Sequence, residues 1–145
     1  MKKSAFTQRL DLTAIEAAIA KAERETSGEI RVVILHQPVT DALAAAQTAF
    51  LRLGMEKTKE RNGVLIFVAP ESQNFAVVGD DGVHQKCGQT FWDELALAMS
   101  DAFKAGQYTE GLIKGIDRAA NLLGQHFPLQ PGDSNELPDK VVEQK

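Results

Sequence analysis

The sequence predicts an α/β fold in which helices cover the faces of a mixed sheet. Three observations carry this. Apolar residues recur at helical spacing in several stretches, and short β-branched runs bounded by glycine and proline alternate with them in the first half. The first two such runs are separated by a helical pattern, which makes a βαβ unit with parallel strands. The second and third are joined by a short turn, which makes an antiparallel pair.

The elements follow in order. Thr13-x-x-Glu16 resembles a capping box, and Ile15, Ile19 and Ala22 mark one face of a first helix that stops at Ser27-Gly28. Ile30–Leu35, between Gly28 and Pro38, reads as a strand. Thr40 or Asp41 caps a second, Ala-rich helix with Leu43, Ala46, Phe50 and Leu53 on one face, and Gly54 ends it. After a charged connection, Val64–Val68 and Asn74–Val78 are the next two strands. Thr90-x-x-Asp93 starts a helix that runs to about Phe103, with Phe91 and Trp92 as core residues at its start. A last helix spans Tyr108 to about His126, where Gly111 and Gly115 suit close packing against the sheet. Residues 1–127 form one domain, and 128–145, polar and with three prolines, read as a tail.

Composition narrows the function. The chain has 145 residues, 43% hydrophobic and 25% charged, as expected of one globular domain. Its net charge of −4 argues against nucleic acid and anionic membrane surfaces. No run is long and apolar enough for a membrane span. Arg9 and Asp11 interrupt what would be the apolar part of a signal peptide, so the expected location is the cytoplasm and the expected state a monomer. Cys87 is the single cysteine, so no internal disulfide forms. His36, His84 and His126 lack metal-ligand spacing, although His84 lies close to a pair of aspartates.

That pair, Asp80 and Asp81 in Gly79-Asp80-Asp81-Gly82, is the main chemical signal. Adjacent anions at a strand end repel each other, so replacing Asp81 by Asn is expected to stabilise the protein. Strand three runs backwards, so its end lies beside Arg61-Asn62-Gly63 and, in a parallel arrangement, beside Ser27-Gly28-Glu29. Glu29, Asn62, Asp80 and Asp81 together offer the hard oxygens that suit calcium or magnesium. Arg61 could neutralise a carboxylate or grip a phosphate with a bidentate fork. The alternative is an ordinary turn, since Asp and Gly are favoured there.

The segments TSGEIRVVI, RNGVLIFVAPESQNFAVVGDDGV and FKAGQYTEGLIKGI, in this order, resemble the TPM domain family over roughly Ile15 to Phe127. The resemblance implies a three-layer α/β/α sandwich, here with a mixed, mostly parallel sheet of about four strands. It also implies calcium binding, and in some members a proposed acid phosphatase activity. Many members carry basic residues in strand three; here it reads Asn74-Phe75-Ala76-Val77, which weakens phosphate binding. Asp80 stands where an aromatic is often found, which strengthens metal binding.

Two functions are therefore expected. One is a calcium-binding, non-catalytic module that engages a protein partner, with no organic cofactor. The other is a metal-assisted phosphatase acting on a phosphate ester, with Arg61, Asp80 and Asp81 as candidate catalytic residues. No nucleophile paired with a base is evident in the sequence, which favours the first.

Overall fold

The computed structural model describes residues 10–69, 72, 74–129 and 141–144. Its elements are α1 (Leu12–Glu23), β1 (Glu29–Leu35), α2 (Ala42–Arg52), β2 (Gly63–Ala69), β3 (Asn74–Gly79), α3 (Asp81–Lys104), α4 (Tyr108–His126) and β4 (Val142–Gln144). The sheet order is β3-β2-β1-β4. β1 is parallel to both β2 and β4, and β2 is antiparallel to β3.

Alternation along the strands divides the interior into two layers. Ile30, Val32, Ile34, Val64, Ile66 and Val68 face α1, α3 and α4. Val33, Leu65, Phe67 and Ala69 face Ala46, Ala49 and Phe50 of α2. Every residue of β2 is buried, because it is a central strand covered on both faces. The result is the three-layer α/β/α sandwich with its mixed sheet.

Several local expectations change. Asp11, not Thr13, caps α1, since its side chain accepts from the Ala14 N–H at 3.0 Å. Asp41 caps α2 in the same way, but Leu43 on that helix is half exposed rather than part of the buried face. α3 begins at Asp81 rather than Thr90. Gly88, at φ 70° and ψ −167°, interrupts it with a backbone conformation open almost only to glycine. The helix resumes after this kink, close to the start expected at Thr90.

Gly111 and Gly115 pack against α3 more closely than against the sheet. A Cβ would lie 2.6 Å from Phe103 at Gly111 and 2.7 Å from Met99 at Gly115. Phe91 is in the core, whereas Trp92 is half-buried and lies over Gly79.

The fourth strand comes from the segment read as tail. Val142–Gln144 extends the sheet beside β1. The Gln144 carbonyl accepts from His36 N–H at 2.7 Å, the His36 ring meets Glu143 at 2.9 Å, and Glu16 accepts from Val141 N–H. A tail of polar composition can still add a strand, because backbone groups supply the ladder.

Candidate functional site

The three predicted turns do meet at one sheet edge. Backbone bonds tie them: Glu29 N–H donates to the Asn62 carbonyl, Asp80 N–H to Gly63, and Gly82 N–H to Arg61. Parallel pairing sets Glu29 beside Gly63, and antiparallel pairing sets Gly79 beside Val64. Gly82 is needed for this approach, since a Cβ there would run into the carbonyl oxygens of Glu60 and Arg61, the latter at 2.6 Å.

Arg61 answers the charge problem of the aspartate pair. Its Nε donates to Asp80 Oδ2 and its Nη2 to Asp80 Oδ1, both at 2.6 Å. Asp80 is buried, while Arg61 is about half exposed. Arg61 has φ +52°, a left-handed conformation uncommon for a residue with a side chain. The hydrogen bonds and charge of Asp80 raise the Arg61 pKa above its ordinary value.

The two aspartates have different environments. Asp80 is the N-cap of α3, and its Oδ1 also accepts from the Asp81 N–H at 2.8 Å. Asp81 is the first helical residue, its side chain is 76% exposed, and it lies 3.8 Å from Arg61. A carboxylate in the first turn is favoured by the helix dipole. The repulsion expected of adjacent anions is thus offset by a helix start and a guanidinium, neither of which the pair shows in isolation.

Glu29 and Asn62 are both buried. Asn62 donates from Nδ2 to Ser27 Oγ at 3.4 Å, and its backbone N–H donates to Thr58 Oγ1. Asn62 Oδ1 is buried without a hydrogen-bond partner. Residues not singled out from the sequence complete the junction. Ser27 Oγ donates to Glu60 at 3.0 Å, and Thr26 Oγ1 donates to the Phe127 carbonyl and accepts from Gly28 N–H. Thr26 and Glu60 flank the predicted turns, but only contacts distant in sequence reveal their part.

The described residues do not form a ready-made cage for calcium or magnesium. Both Asp80 oxygens are engaged by Arg61, and no three acidic, His or Cys residues group to hold an ion among the described residues. Asn62 Oδ1 is the one donor atom of the set shown buried and open.

Other reactive groups lie elsewhere. Burial raises the Cys87 thiol pKa, which opposes thiolate formation. His84 packs against Trp92, with ring centroids 4.9 Å apart and planes tilted by 43°. Among the described residues no helix is long and apolar enough to cross a membrane.

The family model for the TPM domain matches residues 4–122. The chain belongs to the TPM domain family. Among solved structures, this TPM domain is similar to the BA42 protein of the psychrophilic bacterium Bizionia argentinensis, at 39% identity and a TM-score of 0.86, over 91% of each chain. It shares its fold with the N-terminal domain of a P. gingivalis protein, at 17% identity and a TM-score of 0.65, over 77% of this chain and 72% of that one. The N-terminal domain of a Corynebacterium glutamicum protein matches at 20% identity and a TM-score of 0.59, over 85% and 75%. No curated protein matches the chain.

Proposed function

We propose that this TPM domain is a non-catalytic interaction module, and that calcium acts on it by competing with Arg61 for the carboxylates of the sheet edge. The observation that carries the reading is the bidentate Arg61–Asp80 pair. It engages both oxygens of Asp80, so that a metal or a water has to share or displace the guanidinium there, and it commits the cation that would otherwise grip a phosphate. The raised thiol pKa of Cys87 and the His84 ring packed against Trp92 add no ready nucleophile–base pair. Asn62 Oδ1 supports the calcium part, since a buried acceptor without a partner gains from a donor or a cation.

The test is a calcium titration followed by backbone amide NMR shifts, on the natural chain and on Arg61→Gln, beside an assay with p-nitrophenyl phosphate. Calcium is expected to perturb Ser27–Glu29, Arg61–Gly63 and Gly79–Gly82 together, to bind more tightly to Arg61→Gln, and to elicit no turnover. Shifts confined to Asp133, Glu136 and Asp139, which lie outside the described residues, would overturn the calcium part. Turnover that disappears in Asp80→Asn and Asp81→Asn would replace the module with the phosphatase.

A further inference from the structure

Among the described residues, β3 is an outer strand of the sheet, paired with β2 on one side. Its pairing pattern identifies which backbone groups face outward. Asp80 N–H donates to the Gly63 carbonyl, so that pair is hydrogen-bonded. Alternation in an antiparallel ladder then bonds Val78 to Leu65, Ala76 to Phe67 and Asn74 to Ala69. The backbone groups of Phe75, Val77 and Gly79 therefore point to the open edge. The Phe75 N–H is taken by Asn74 Oδ1 at 3.0 Å, which leaves those of Val77 and Gly79.

Such edges are commonly blunted by charge, proline or a bulge. β3, Asn-Phe-Ala-Val-Val-Gly, contains no charged residue and no proline, and its register runs without a break from Asn74 to Gly79. A groove of about 550 Å³ follows it. Leu43 and Gln47 of α2 form one wall, and Trp92 and Ala96 of α3 form the other. Leu43 is 50% exposed.

We propose that this edge binds an extended peptide segment of a partner protein, which adds to the sheet as a strand antiparallel to β3. The proposal rests on the interaction-module reading and gives it a surface. Main-chain groups of the peptide would pair with Val77 and Gly79, the usual recognition in strand addition. Its side chains would alternate between the Leu43 wall and the Trp92 wall, so apolar residues are required at successive positions on both sides.

Size and charge select this occupant. The edge is 6 residues long, short of the roughly 20–30 residues a side that a stable interface between two folded copies takes. A groove of this volume is large enough for a few side chains of an extended segment and too small for a folded partner. Arg61, Asp80 and Asp81 at the end of β3 carry one positive and two negative charges, net −1, and Asp81 is the exposed member. In an antiparallel arrangement the peptide N-terminus lies at that end. A lysine there complements Asp81.

The probe is an octapeptide of alternating valine and leucine with an N-terminal lysine, titrated into the ¹⁵N-labelled chain. Expected are shifts at Phe75, Val77, Gly79 and the Trp92 indole, with slower hydrogen exchange at the Val77 and Gly79 amides. Leu43→Glu, on an exposed helix position, should weaken binding by about tenfold or more, since it puts a charge where an apolar side chain was to be covered. Val77→Pro, which removes an outward N–H, should also weaken it. No shift at millimolar peptide overturns the proposal, as does binding without protection of Val77 and Gly79. Protection of these amides that grows with protein concentration alone overturns it in favour of a second copy. Calcium shifts at the three turns are read in the same samples. If they persist while the peptide fails, the edge proposal falls and the module reading stands.

Discussion

Arg61 holds both carboxylate oxygens of Asp80 at 2.6 Å, from a left-handed backbone just before β2 to the N-cap of α3. This one pair joins the connection before β2 to the segment after β3. Asp80→Ala removes the cap and the ion-pair partner together. Loss of the cap alone is expected to cost about 0.5–2 kcal/mol, read by urea unfolding. Arg61→Gln should also destabilise, because it leaves a buried carboxylate without its guanidinium, and Arg61→Lys should recover only part of the loss. Equal stability of all three variants would mean that the pair is incidental.

Asp81→Asn is expected to destabilise slightly, by about 0.3–1 kcal/mol, because Asp81 interacts favourably with the N-terminus of α3. This is opposite in sign to the expectation from the sequence, which rested on repulsion between two adjacent anions. A rise in melting temperature for Asp81→Asn would restore the repulsion argument.

Gly82→Ala should be among the most damaging small substitutions. The added methyl meets two backbone carbonyl oxygens, at Glu60 and Arg61, and neither can rotate away. Overpacking of this kind costs typically about 1–3 kcal/mol. Thermal unfolding of the variant measures it, with Gly106→Ala as a control that meets open space but retains the cost of a positive φ.

Gly88→Ala tests the kink in α3 separately from crowding. A Cβ at Gly88 meets nothing within 4 Å, so any loss comes from the backbone. At φ 70° and ψ −167° that loss is about 1–3 kcal/mol. Stability equal to the natural chain would mean that the helix straightens through position 88 without penalty, and amide shifts of Cys87 to Thr90 would report it.

Cys87 should resist iodoacetamide in the folded protein and react readily when unfolded, because burial raises its thiol pKa above 9.0. The linked stability is fully present below the unfolded value and is lost as pH rises through the folded one. Unfolding free energy should therefore fall above about pH 9, and Cys87→Ser should remove that part of the slope. Rapid alkylation of the folded chain at neutral pH would contradict the burial argument.

Much of the architecture was legible because local pattern and tertiary demand agree. β2 is buried on both faces, so its sequence is one continuous apolar run, Val64–Val68. α4 matched its predicted span because its apolar stripe, Leu112 to Leu123, repeats at helical spacing. The convergence of Ser27–Glu29, Arg61–Gly63 and Gly79–Gly82 also followed from strand directions alone. Tertiary structure decided the rest. The start of α3 was hidden because Asp81 to Cys87 is mostly polar, and its helical state rests on the Asp80 cap and on Val83 in the core. β4 was hidden because a strand added beside β1 is held by backbone bonds, which leave little trace in side-chain composition. That Asp80 caps a helix and Asp81 begins it, rather than both lying in a plain turn, is a property of the folded chain. Antiparallel pairing of β2 and β3 places the arginine near them, but only the folded structure shows that its guanidinium grips Asp80 with Nε and Nη2.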